Sequence, residues 1–420
     1  MFNPPHHHND IDALFINRDD DLEHGVEFFY DDISLNQIHV IHGNSRMGKS
    51  HYLKRLINLL KQKQSPFLFY DINANSKQRS RVVLNDIFNA LKKEIFAFNP
   101  ASHGIGKETS AMQHIAVAKD MLIDISPLVS GEWEQNSCTQ MRERIVHDQK
   151  NFSLLPGFIQ AIWQSSEELK VGEEKQWVMS KVSNENIIEL IKYQADLLIN
   201  KLLPDEKNSI LLTVDDLDLL YYKTGGEDEV RDLLNLLNIL ASESFFNILV
   251  TMRTEAFHDR QKDMTPFRRI GLLENTEIKE IYHKHLELFN RNQPIFTDTA
   301  ITFLLECADG CIGDFLKNCH SIFSDNYGWY KKKNLIDVAE IKKHVEKNIN
   351  EHLRFRESKD QMLEIIHYVQ KDQKMIYSTN EIIYDVFLDR MLEKDAKQPN
   401  KYFINELYRK VIEEMNTDGD

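Results

Sequence analysis

Gly43-Asn44-Ser45-Arg46-Met47-Gly48-Lys49-Ser50 fits the spacing G-x-x-x-x-G-K-[ST] at every fixed position. That pattern holds polyphosphate. Its glycines let successive backbone N–H groups curl around phosphate oxygens, and a helix opening just after them adds positive potential. Lys49 has the reach for the β- and γ-phosphates, and the Ser50 hydroxyl suits a magnesium ion. All eight residues, with His51 directly after them, are therefore phosphate-binding candidates. A second chemical group closes the apolar run Ser209-Ile210-Leu211-Leu212-Thr213-Val214, where Asp215, Asp216 and Asp218 follow. A carboxylate at the end of a strand binds magnesium, commonly through a metal-bound water, and a neighbouring one orients and deprotonates an attacking water. We assign Asp215 to the metal and Asp216 to the water, with Asp218 in reserve.

These groups need elements to hold them. Ile38 to His42 reads as a short buried strand, and Leu53, Leu56, Ile57 and Leu60 recur at helical spacing after the loop. Pro66 to Asp71 reads as a second strand. Arg81 to Phe96 reads as a helix carrying Val83, Ile87, Ala90 and Leu91 on one side. About 110 residues then pass before the acidic strand, more than a strand-to-strand connection normally takes. The stretch 99–184 is therefore read as an inserted, mostly helical subdomain, with Trp133, Trp163 and Trp177 either in a small core or on a partner-binding face. A helix from Asn186 to Leu203, ended by Pro204, returns the chain to the core. The expected fold class is α/β: a P-loop core with a parallel sheet, a helical insertion, a helical lid and a helical C-terminal region.

The two motifs resemble the Walker A and Walker B segments of additional-strand P-loop ATPases, above all AAA+ enzymes, their origin-recognition-like bacterial relatives and the STAND signalling ATPases. Phe245 to Arg253 resembles the extra strand that ends in a γ-phosphate sensor, with Thr251 and Arg253 as its polar candidates. Phe267 to Leu272 followed by Glu277 to Tyr282 resembles the passage from core to lid. Ala308 to Leu316 resembles the lid segment that usually carries a sensing arginine, but Gly313 stands where that arginine is expected. The resemblance implies a tail over 1–24, an ATPase core over 25–98 and 185–272, a lid over 273–350, and a C-terminal helical region over 351–420 in which relatives often have a winged helix. No wing strands are evident in this sequence. It implies ATP and Mg²⁺ as cofactors, and a polar switch residue at Asp71 or Asn73 that bonds to the catalytic carboxylate. It also implies Lys49, Asp216 and Arg253 in catalysis, with a charge-neutralising arginine from a neighbouring subunit at Arg268 or Arg269 (Arg260 is the reserve). Homo-oligomers, and regulators of transposition, replication initiation or anti-phage defence, are its functional company. The missing lid arginine keeps open a nucleotide-gated scaffold with little hydrolysis.

Composition fits this frame. The 420 residues are 42% apolar, enough for two or three domains with proper cores. The net charge of −15 opposes nucleic acid, whose binders carry basic footprints. Lys331-Lys332-Lys333 and Lys342-Lys343 are the local exceptions. A protein partner through 99–184 or the C-terminal helices is expected instead. No run approaches the roughly 20 apolar residues of a membrane span, and Met1 to His8 lacks the basic and apolar parts of a signal peptide. Four cysteines suit a reducing cytoplasm, and Cys307, Cys311 and Cys319 lack the paired spacing of a zinc site.

Overall fold

A computed structural model describes residues 18–31, 37–63, 66–73, 80–98, 166–171, 174–179, 183–203, 209–218, 227–288, 294–326, 335–354, 375–377, 391–394 and 401–417, with scattered positions in 116–129 and 362–369. Five strands form one parallel sheet: β1 (Ile38–Gly43), β2 (Phe67–Asn73), β5 (Ser209–Asp215), β6 (Phe246–Arg253) and β7 (Thr265–Arg269). Their order is β2-β5-β6-β1-β7. The acidic strand β5 and the loop strand β1 are thus separated by β6, which pairs in parallel with both.

The central strands β5, β6 and β1 are buried on both faces, as is usual in a parallel sheet. Side chains alternate along each strand. Ile38, Val40, Ile210, Leu212, Val214, Ile248 and Val250 pack to one side against α3 (Ser80–Ala97), α4 (Asn184–Asp196) and α5 (Glu227–Ala241). Ile41, Leu211 and Leu249 pack to the other against α1 (Asp19–Asp31) and α2 (Lys49–Gln62). Helix α1 crosses the expected boundary between tail and core, and it buries Leu22, Val26 and Phe29. Helix α4 starts at a Ser183 cap that accepts from the Asn186 amide, and it runs on as a π-helical stretch, Leu197–Leu202.

Within 99–184 the described residues include an antiparallel hairpin, β3 (Ser166–Val171) with β4 (Glu174–Met179), in a segment read as mostly helical. Ala118, Leu122 and Val129 join the core cluster that holds α3, and Lys92 reaches Ser126 at 2.5 Å. Trp133 and Trp163 lie outside the described residues, as does the side chain of Trp177.

The short α6 (Thr254–Asp259) lies between β6 and β7, and after β7 come the helices of the segment read as the lid: α7 (Asn275–Leu288), α8 (Asp298–Ala308), α9 (Ile312–Asp325) and α10 (Val338–Arg354). Tyr282, Leu304, Phe315, Ile322 and Val345 form the lid's own core. The same cluster takes in Leu392, Tyr402, Ile404, Leu407 and Val411 from the C-terminal region. That region differs from an all-helical reading. A small antiparallel sheet, β8 (Met375–Tyr377), β9 (Leu392–Lys394) and β10 (Lys401–Ile404), precedes α11 (Glu406–Thr417), with β10 in the middle. Strands of three and four residues leave too little alternation in sequence to be read. Among the described residues no helix is long and apolar enough to cross a membrane.

Candidate functional site

The loop Gly43 to Gly48 leaves the C-terminal end of β1 and enters α2. Two residues turn it with positive φ: Arg46 at 60° and Gly48, which caps α2, at 88°. Gly43 answers to a neighbour. Ile270, just past β7, donates its amide to the His42 carbonyl at 2.7 Å. A Cβ on residue 43 would stand 2.5 Å from the Ile270 carbonyl oxygen. Within the loop Asn44 is exposed, Ser45 and Arg46 are half-buried, and Met47 is buried, while His51 is half-buried on the first turn of α2.

Lys49 is buried, and its ammonium donates to the carbonyls of Gly43 at 3.2 Å and Asn44 at 2.8 Å. Burial draws it below the ordinary lysine range, against the pull of Asp218 and Asp216. An ammonium held this way favours a stronger acceptor, and phosphate oxygens are stronger than amide carbonyls.

The carboxylates of β5 lie beside this lysine. The Ser50 hydroxyl donates to Asp215 Oδ1 at 3.0 Å. The Thr251 hydroxyl donates to the same oxygen at 2.5 Å and accepts from the Asp216 amide at 2.8 Å. Thr251, at the end of β6, therefore locks both acids in place. A hydroxyl beside a carboxylate is a hard-oxygen pair that fits magnesium, which keeps most of its other positions for water and phosphate. Asp216 sits in the left-handed region, φ 55°, a conformation that aspartate tolerates better than most residues. Burial, with Asp215 and Asp218 adding to it, pushes its carboxyl up to about 7.

Asp218 is fully enclosed. Arg253 closes on it through Nε at 3.3 Å and through its backbone amide at 3.2 Å. The acid held in reserve is thus the counter-charge of the second sensor candidate. Asp71 accepts from the Thr213 hydroxyl at 2.9 Å rather than from either site acid. Asn73 stands opposite Asp215 in the β2–β5 register, and its side chain lies outside the described ones.

The arginines before the lid differ. Arg268 forms an ion pair with Asp21 of α1 in its own chain. Arg269 is exposed on β7, the edge strand of the sheet, opposite His42 in register. The lid touches the loop directly. Gly313, where a sensing arginine was expected, donates its amide to the Arg46 carbonyl at 3.0 Å, and Arg46 Nη1 donates to Asp314 Oδ1 at 2.5 Å. Sequence reasoning missed this contact. Its one signal was the small residue at 313.

No protein-family model and no curated protein matches the sequence. Solved structures do. Domain III of the Thermotoga maritima replication initiation protein DnaA is 11% identical, over 80% of this chain and 95% of that one, with a TM-score of 0.36. The Aeropyrum pernix ORC1 protein, solved in complex with DNA, is 9% identical over 98% and 96%, with a TM-score of 0.44. CDC6P from Pyrobaculum aerophilum is 10% identical over 99% and 97%, with a TM-score of 0.39. The likeness is distant, and the chemistry of the site rests on its own geometry. The loop after β1, the acids after β5 and the strand β6 between them form the α/β core with a parallel sheet that the sequence predicts.

Proposed function

We propose that the protein binds ATP with Mg²⁺ and hydrolyses it to ADP and phosphate, and that the bound nucleotide sets assembly and partner contact. Gly43 to Ser50 wraps the phosphates, Lys49 balances their charge, and Ser50 with Asp215 holds the metal. A magnesium ion held there would supply positive charge against the phosphates. Asp216 takes a proton from the water that attacks the terminal phosphate. The observation that carries this reading is geometric: the buried Lys49 ammonium in the loop, the Ser50–Asp215 pair and Asp216, held by Thr251 next to that pair, meet where β1 and β5 end. A carboxylate placed beside the metal and the phosphates is positioned to act as base. A homo-oligomer in the cytoplasm, with an arginine from the neighbouring copy completing the site, is the assembly we favour. A role in anti-phage defence, transposition or replication, with a protein partner reading the nucleotide state, is the setting we favour.

A second reading has one observation of its own: Gly313 stands in the lid where an arginine on the phosphate was expected. On that reading the protein is a scaffold gated by nucleotide and hydrolysing little. Steady-state phosphate release decides between them. We expect magnesium-dependent turnover that falls roughly tenfold or more in Asp216→Asn, since an amide cannot act as base. Turnover in the wild type no greater than in Asp216→Asn would favour the scaffold.

A further inference from the structure

Where an arginine of the lid would point at the phosphate loop, this chain reverses the direction: an arginine of the loop points at the lid. Arg46 belongs to the loop by sequence position, yet its guanidinium lies on Asp314, in the first turn of α9. Its carbonyl accepts from the Gly313 amide at 3.0 Å, and the Cys311 thiol lies 3.8 Å from the carbonyls of both Ser45 and Arg46. The approach is close enough to require glycine. A Cβ on residue 313 would fall 2.3 Å from Arg46 Cβ and 2.7 Å from its carbonyl oxygen. An arginine at 313 would collide with the loop.

The charges around this contact explain why the loop supplies the cation. Arg46 and Asp314 line a cleft of about 440 Å³ between the loop, the lid and the C-terminal region, and Glu306, Asp309 and Glu406 share its wall. That wall carries four carboxylates against Arg46 and Lys410. A polyphosphate in the neighbouring cradle would be repelled by Asp314 unless a cation stood between them. We propose that Arg46 is a positioning residue, which pins the lid to the phosphate loop through Asp314 and Gly313 and screens the acidic lid wall from the nucleotide. This rests on the nucleotide-binding reading above. The lid is then seated before nucleotide arrives, and Arg46 governs how long nucleotide stays.

The test uses the full chain and two readouts. The first is hydrogen exchange of the amides of residues 312–316 without nucleotide. The second is the release rate of a fluorescent ATP analogue with magnesium. Arg46→Ala should speed exchange and should speed release roughly tenfold, within the usual range for coupled sites. Asp314→Ala should speed exchange as much but release less, because it also removes the repelling carboxylate. The double variant should therefore hold nucleotide longer than Arg46→Ala alone, and Arg46→Lys should recover part of the loss, lacking only the guanidinium's fork. Unchanged exchange with faster release would overturn the proposal, because Arg46 would then act on the phosphate directly. A double variant worse than both singles would overturn the screening role. If the wild type binds no analogue, the nucleotide reading fails, and the exchange data still decide whether Arg46 pins the lid.

Discussion

Thr251 shows how a single hydroxyl organises the site. It donates to Asp215 and accepts from the Asp216 amide, in a fully buried position. Replacing it with valine keeps the shape, removes the acceptor of the Asp216 amide and leaves Asp215 Oδ1 with the Ser50 hydroxyl. The expected loss is about 1–3 kcal/mol of stability, the usual result of leaving buried polar groups unpaired, together with slower phosphate release. Chemical denaturation and a turnover assay measure the two. Asp216 gives a pH prediction. Its carboxyl is raised from 3.8 to about 7 in the folded chain, so the folded state binds more protons than the unfolded one between those values. Stability from this group is therefore full below about 4, falls as pH rises to about 7, and is level above. Asp216→Asn should flatten that part of the stability profile, while wild-type turnover should rise with pH through about 7. An unchanged slope in the variant would refute the raised carboxyl. At this scale Gly43, Lys49, Ser50, Asp215 and Asp216 were proposed from residue type and spacing, and Thr251 from the resemblance of its strand. The partners of Asp218 and Arg46 were not legible in the sequence, because Arg253 and Asp314 meet them across 35 and 268 residues of sequence.

The elements were legible where periodicity is long. The strand–loop–helix unit around the first motif, the buried β5 and the extra strand β6 each carry enough residues to show their pattern. The three short strands near the C-terminus and the β3–β4 hairpin do not. The insertion is also less separate than its length suggests, since Ala118, Leu122 and Val129 belong to the core that holds α3. Two deletions should therefore behave differently. Removing 131–182 with a Gly/Ser linker should leave a folded chain that still binds ATP. Removing 99–182 should lower the melting temperature sharply, because it strips apolar side chains from a packed core, each large one worth about 2–5 kcal/mol when truncated. Equal melting temperatures for the two would show that 116–129 packs without contributing. The lid has its own core, and Leu304 is fully buried in it. Leu304→Ala should cost the same order of stability without altering the phosphate cradle.

At the scale of the whole molecule, charge and edges direct assembly. The net charge of −15 discourages close approach of like copies except where a cation meets an acid. Arg269 is such a cation, exposed on the edge strand β7, whereas Arg268 is tied to Asp21 in its own chain. If copies share a site, Arg269→Ala should lower turnover with ATP affinity kept, and adding Lys49→Ala subunits, which retain Arg269, should restore it. Arg268→Ala should instead loosen α1 and lower stability. Rescue absent at every mixing ratio would argue for a self-contained site. All of this depends on nucleotide in the cradle, and calorimetric titration of ATP with magnesium into wild type and Lys49→Ala tests that most directly. The account predicts saturable one-site binding by the wild type and none by the folded variant, which lacks the buried ammonium of the loop that would balance the phosphate charge. Equal affinity in the two proteins would contradict it.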